Sequence, residues 1–249
     1  CYADLMREKY DILKDAPLRR RQEVLIEEIL KKYNFAPVVP FELSEDTLLK
    51  IDLTAENADL KKIDLTNTAI FTEYVFAKIQ EAQAVCAIGG YFENRYIYRR
   101  SEHFQQTVEP RSIHLGVDIW AAAGTPVFAP LAGKVHSFAN NDNFGDYGPT
   151  IILEHELEGY FFYTLYGHLS VSSLDGLAVN QVIDKGQRIA EFGNFPENGN
   201  WPPHLHFQVM TDMLGKQGDF PGVCELSKID FYRAICPNAH ILLKTDTLY

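Results

Sequence analysis

The chain has 249 residues, 46% of them apolar and 23% charged, enough to bury the core of one large domain or two small ones. A formal net charge of −11 argues against nucleic acid as a partner, because phosphate binding draws on clustered Lys and Arg. No run of about 18 apolar residues occurs, so no transmembrane segment is expected.

Residues 1–88 read as a polar, helical N-terminal extension. From Pro17, the segment LRRRQEVLIEEILKKYNF places Val24, Leu25, Ile29 and Leu30 on one side of a helix, with Arg19–Arg21 on a solvated face. Pro37 and Pro40 stop it. The pentapeptide KIDLT occurs at Lys50 and again at Lys62, and both copies read as short extended pieces. A second helix follows, TAIFTEYVFAKIQEAQAV, with Asn67 or Thr68 as its N-cap. The pair Gly89-Gly90 closes this part.

Beyond Gly90 the texture becomes short β-rich runs cut by Gly, Pro and Asn, among them TPVFAP, GKVHSFA, PTIILEH, GYFFYTLYGHL and HLHFQVM. Strands with few helices between them predict an antiparallel sheet or split barrel. A short helix is expected near Ser227 to Ile235, and residues 241–249 form a tail. Cys1, Cys86, Cys224 and Cys236 lack CxxC spacing and read as buried thiols, with a Cys224–Cys236 pair left open. A start at Cys1 fits both a processed lipoprotein and a trimmed chain.

Three fragments of the β-rich part carry chemistry. IHLGVD supplies His114 and Asp118 at an even spacing, with Gly116 between them leaving room for a metal or a turn. LYGHLS ends an aromatic strand on His168. In PPHLHF, His204 and His206 share one face of a strand, so that one can bind metal while the other reaches a substrate. A catalytic zinc ion uses three such nitrogen or carboxylate ligands and keeps one position for water. Isolated histidines in β-rich proteins are mostly structural, and His103, His136, His155 and His240 are read so, with an outer supporting role open for His155. Asp142, Asn143 and Asp146 read as turn formers. Tyr166 reads as packing, and Tyr160 to Tyr163 as sheet core.

HLGVD, LYGHLS and HLHF, in this order, resemble the M23 (lysostaphin/LytM-type) zinc metallopeptidases. GTPVFAPLAGKV and DKGQRIAEFG resemble that family's connecting strands and turns. The resemblance covers a core of about 109–210 within a domain of 89–240. It implies a β-rich α+β fold with an antiparallel sheet or split-barrel core and the helical N-terminal extension. It implies His114, Asp118 and His206 as ligands of one Zn2+ ion, with His204 and His168 as flanking catalytic histidines. With no HExxH present, histidine rather than glutamate must handle the proton: His204 is the candidate base and His168 the donor to the oxyanion, the two roles being interchangeable at this stage.

The implied reaction is hydrolysis of a peptide bond by a zinc-activated water, in a peptidoglycan stem peptide or cross-bridge. Two alternatives are a cytosolic zinc hydrolase of small peptides or amides, and a non-enzymatic regulator on the same fold. The first of these is suggested by GGYFENRYIY, SEHF, WPPHLHF and GDFPGVC, which resemble M23 modules fused to aminotransferase and small-molecule kinase domains. A wall hydrolase would sit in the cell envelope or periplasm, and the alternative enzyme in the cytoplasm. NGNWPPHLH departs from the Gly/Thr-rich segment usual before the paired histidines, and Trp201, Pro202 and Pro203 predict a narrower cleft.

Overall fold

The computed structural model describes residues 25–101, 104 and 109–245. Cys1, the Arg19–Arg21 run, His103 and the part of the expected N-terminal helix before Leu25 lie outside them. Residues 25–30 are helical, and Ile26, Ile29 and Leu30 are buried.

The strands, in chain order, are β1 (Leu48–Lys50), β2 (Cys86–Gly89), β3 (Arg111–His114), β4 (Val117–Trp120), β5 (Pro126–Phe128), β6 (Gly133–Asn141), β7 (Gly148–Leu157), β8 (Tyr160–Gly167), β9 (Val182–Ile183), β10 (Arg188–Glu191), β11 (His204–Met210) and β12 (Val223–Glu225). Eight of them form one sheet in the order β1-β2-β4-β11-β8-β7-β6-β9, while β5/β10 and β3/β12 form two small sheets. All of the pairings are antiparallel except β1/β2. The β-rich class with few helices is borne out.

The N-terminal part contributes more than helix. Its β1 and β2 extend the main sheet, with β2 paired to β4 through Ala87↔Trp120, Ile88↔Ile119 and Gly89↔Asp118. Helix α1 (Thr68–Glu81) is capped by Asn67, whose side chain accepts from the backbone of Ala69 and Ile70. It buries Thr68, Phe71, Val75 and Ile79, one helical face. The first KIDLT copy runs out of β1, but the second is a turn. There the Asp64 side chain accepts from the Thr66 backbone and hydroxyl at 2.9 and 2.6 Å, a local bond that competes with extension. Near the C-terminus, α2 (Ile229–Arg233) falls inside the expected helix, and α3 (His240–Leu243) follows it.

Alternation along the central strands separates core from site. Leu205, Phe207 and Val209 of β11 and Val117 and Ile119 of β4 enter one apolar core, which also takes Tyr166. The intervening residues, His204, His206 and Gln208 on β11 and Asp118 and Trp120 on β4, face the opposite side and are buried there. Cys86, Cys224 and Cys236 are buried and not joined by disulfides.

Candidate metal centre

Strand register puts Asp118 directly opposite His206 and Trp120 opposite His204. His114 comes from another sheet. The chain leaves β3 after His114, passes through Leu115-Gly116 and re-enters the main sheet as β4, so IHLGVD is a crossing between sheets rather than one extended strand. Gly116 is where that crossing passes His206. A Cβ at this position would lie 2.7 Å from His206 Nε2 and 2.7 Å from the Phe207 carbonyl oxygen. The space that glycine leaves is occupied by the imidazole of His206.

Three ligand atoms converge. His114 Nε2 lies 2.9 Å from His206 Nδ1 and 3.2 Å from Asp118 Oδ1, and His206 Nδ1 lies 3.1 Å from the same carboxylate oxygen. A tetrahedral ion with bonds of about 2.0–2.1 Å holds its ligand atoms about 3.3 Å apart, close to this triangle. The tautomers agree with the geometry. His114 Nδ1 is 3.0 Å from the Gly90 carbonyl and must carry the proton there, which leaves a lone pair on Nε2. His206 Nε2 is 2.9 Å from Gln208 Oε1, so its proton sits there in the same way and the lone pair on Nδ1. Two lone pairs and a carboxylate therefore point at one another with no donor between them, an arrangement that a cation stabilises. The residues fit zinc.

Electrostatics hold the donors in the right form. Burial pushes the His114 pKa down to about 3, and the neighbouring Arg95 guanidinium adds to that, so the ring stays neutral. For Asp118, burial opposes ionisation, but the buried Arg95 guanidinium paired with it keeps the carboxyl well below its usual range. Arg95 is the residue the motifs did not single out. Its Nη1 donates to Asp118 Oδ2 and its Nε donates to Glu93 Oε2 at 2.8 Å, with the guanidinium fully buried. Gly89, opposite Asp118 in the sheet, makes the space: a Cβ there would lie 2.5 Å from Arg95 Nη2. One oxygen of Asp118 is thus tied to Arg95 while the other faces the two imidazoles.

His168 and His204 stand beside the triad with ring centroids 4.1 Å apart. His168 adopts φ +61°, which turns the chain as it leaves β8. Its Nδ1 donates to the Asn198 carbonyl at 2.9 Å, and His204 Nδ1 donates to Pro202 at 2.7 Å. In both rings Nε2 is therefore the atom left to accept a proton. Burial lowers the pKa of His204 to about 4 and takes His168 well below the ordinary histidine value, where the proximity of His204 adds to it. His204 stacks on Trp120, with centroids 3.9 Å apart and planes at 15°. Tyr147 is the second residue missed. Its hydroxyl is 3.3 Å from His206 Nε2, and burial raises its pKa well above the usual value, so it keeps its proton.

The remaining histidines are structural where they are described. His155 uses Nδ1 on the Ala132 carbonyl and Nε2 on Thr164, and so supports none of the ligands directly. His136 bonds Ser137, and His240 bonds Thr245. Asn143 and Asp146 bond each other and the Tyr147 backbone, as turn formers do.

His114, Asp118 and His206 form a group that could hold a metal ion, with His168 and His204 beside it. Residues 112–218 match the model described as Peptidase family M23. The resemblance in the motifs is borne out over that segment, which contains the whole triad and both flanking histidines, and it supports a metallopeptidase. No curated protein matches the sequence.

Similar solved structures include a zinc-containing peptidase from Vibrio cholerae, 28% identical over 39% of this chain and 27% of that one, with a TM-score of 0.30. The catalytic domain of the antimicrobial peptidase lysostaphin from Staphylococcus simulans is 26% identical, covering 49% of this chain and 80% of that one, with a TM-score of 0.32. LytU is 25% identical, covering 53% and 86%, with a TM-score of 0.33. The chain therefore spans about a quarter of the Vibrio protein it matches. The family match over residues 112–218 supports a metallopeptidase, and these overall likenesses add nothing to it.

Proposed function

We propose that the protein is a zinc-dependent hydrolase of peptide bonds, with His114, Asp118 and His206 as metal ligands and His204 and His168 as catalytic histidines. The single observation that supports this most is the triangle of three candidate ligand atoms with edges of 2.9, 3.1 and 3.2 Å. The bound ion supplies a Lewis acid for the scissile carbonyl and lowers the pKa of the attacking water.

The chain's own residues handle the proton. His204, whose Nε2 is 3.9 Å from Asp118 Oδ2, is the base that takes a proton from the attacking water. Trp120 beneath the ring and the Pro202 carbonyl at Nδ1 fix the orientation of that nitrogen. His168 presents no N–H to the site until Nε2 is protonated; the proton that His204 takes from the water passes to it between rings 4.1 Å apart, and His168 then delivers that proton to the leaving nitrogen. Tyr147, which already carries its proton, is the donor to charge that develops earlier on the carbonyl oxygen.

The test compares three preparations on a mixture of soluble peptides: protein stripped by a chelator, the same protein resupplied with zinc, and His206→Ala with zinc. Hydrolysis only in the second supports the proposal. Equal turnover in the stripped and resupplied forms refutes it. Peptidoglycan stem peptides and cross-bridges contain the proposed bond class, and the shape of the site bears on whether they can reach the metal.

A further inference from the structure

Among the described residues, Asp118 and His206 of the candidate ligands and the paired His168 and His204 line a partly open cavity. Asp118, His204 and His206 are 3, 2 and 3% exposed, and His168 is 6% exposed. The cavity beside them holds about 180 Å³, whereas sites for drug-sized ligands run to about 300–1,000 Å³. A cavity of about 150 Å³ is filled by a benzene-sized guest, so this one has room for about one small residue.

An aromatic cap forms one wall. Tyr98, Phe104 and Trp201 contact one another at centroid separations of 4.6, 6.1 and 6.3 Å. Trp201 in turn lies 6.1 Å from His168 and 6.2 Å from His204. Tyr147 and Phe220 stand among the other lining residues.

The cap is braced from behind. Phe71 of α1 packs on Trp201 at 6.5 Å, and the Arg100 guanidinium lies over the Trp201 ring at 4.6 Å. Thr68 donates to the Asn200 carbonyl at 3.0 Å and accepts from Arg100 at 2.9 Å. The N-terminal part thus fixes the cap against the strand that carries the paired histidines. Trp201, Tyr98 and Phe104 are 3, 6 and 6% exposed, packed as core rather than as a loose edge.

Resting on the hydrolase reading, we infer that the substrate is a short peptide or amide that ends inside the cavity. One side of its scissile bond is no larger than about a single small residue. Among the described residues, a peptide continuing in both directions, as in a cross-linked wall, would meet the packed Tyr98, Phe104 and Trp201 on one side. Trp201, from the segment whose bulk led to the expectation of a narrower cleft, is part of this wall. The α1 segment becomes a specificity element, because it holds the cap in place without touching the metal ligands.

The experiment incubates the zinc-loaded full chain with a randomised dipeptide library, a randomised decapeptide library and purified peptidoglycan sacculi. Products are read by mass spectrometry and by release of soluble muropeptides. The expected result is cleavage of dipeptides, removal of single terminal residues from decapeptides at most, and intact sacculi. Phe104→Ala, checked for unchanged zinc content and a cooperative melt, should raise internal decapeptide cleavage relative to dipeptide cleavage at least tenfold. Internal cleavage or solubilised sacculi with the unaltered protein would overturn the size limit and leave the hydrolase reading standing. No cleavage of any substrate would overturn both.

Discussion

Gly116→Ala is the smallest change that tests how the two sheets meet at the metal centre. The added methyl would sit 2.7 Å from His206 Nε2 and 2.7 Å from the backbone oxygen of Phe207. The second neighbour is main chain in the middle of β11 and cannot swing aside, so the imidazole or the β3–β4 crossing must move. Overpacking of this kind costs about 1–3 kcal/mol of stability. Displacing the imidazole from Gln208, which orients it, costs about 10–100-fold in metal affinity, the range for lost supporting contacts. Zinc affinity measured by competition with a chromophoric chelator, together with a thermal melt of the metal-free protein, separates the two effects. Gly124→Ala is the control, since nothing lies within 4 Å of its added methyl and only its φ of +80° is strained. Affinity within twofold of the parent in Gly116→Ala would refute the close approach of Gly116 and His206.

Three further predictions follow from the same geometry. Arg95→Met removes the partner of a buried carboxylate and should cost about 3–5 kcal/mol in urea unfolding, with weakened zinc binding; stability within about 1 kcal/mol of the parent would contradict the role given to Arg95. His204→Gln and His168→Gln should keep stoichiometric zinc, because neither ring is in the donor triangle, yet lower kcat by about 10²–10⁴. Loss of zinc in either would move that residue into the ligand set.

The metal-free protein should lose stability as pH falls below about 6.5. His114, His155, His204 and His240 have folded pKa values of about 3, 4, 4 and 4, below the ordinary 6.5. The unfolded chain therefore binds more protons between those values. Urea unfolding at pH 7 and pH 5 should show a slope steeper than the roughly 1.4 kcal/mol per pH unit of a single group. A flat profile would place these rings in contact with solvent.

What could be read in the residues beforehand was local. His204 and His206 share a face because β11 is a regular strand, and period-two alternation survives into the structure. The Asn67 cap and the short C-terminal helix were legible for the same reason. The evenly spaced His114 and Asp118 do converge, but through a passage between two sheets that alternation alone does not reveal. Arg95 and Tyr147 were not found: the GGYFENRYIY fragment contains Arg95 but its resemblance gave that residue no role, and nothing near Tyr147 in the chain marks it. Each reaches the centre through a tertiary contact, Arg95 to Asp118 and Tyr147 to His206. Two glycines offer a retrospective clue: Gly89 and Gly116 sit where a side chain would strike Arg95 or His206. The strands of the N-terminal part were hidden too, since β1 and β2 are short and are defined by pairing rather than by pattern.

X-ray absorption at the zinc edge of the metal-loaded protein tests the centre most directly. One ion per chain is expected, with only nitrogen and oxygen neighbours at about 2.0–2.2 Å and the outer-shell scattering of two imidazoles. A sulfur shell near 2.3 Å, a single imidazole, or substoichiometric metal would show that His114, Asp118 and His206 do not hold it.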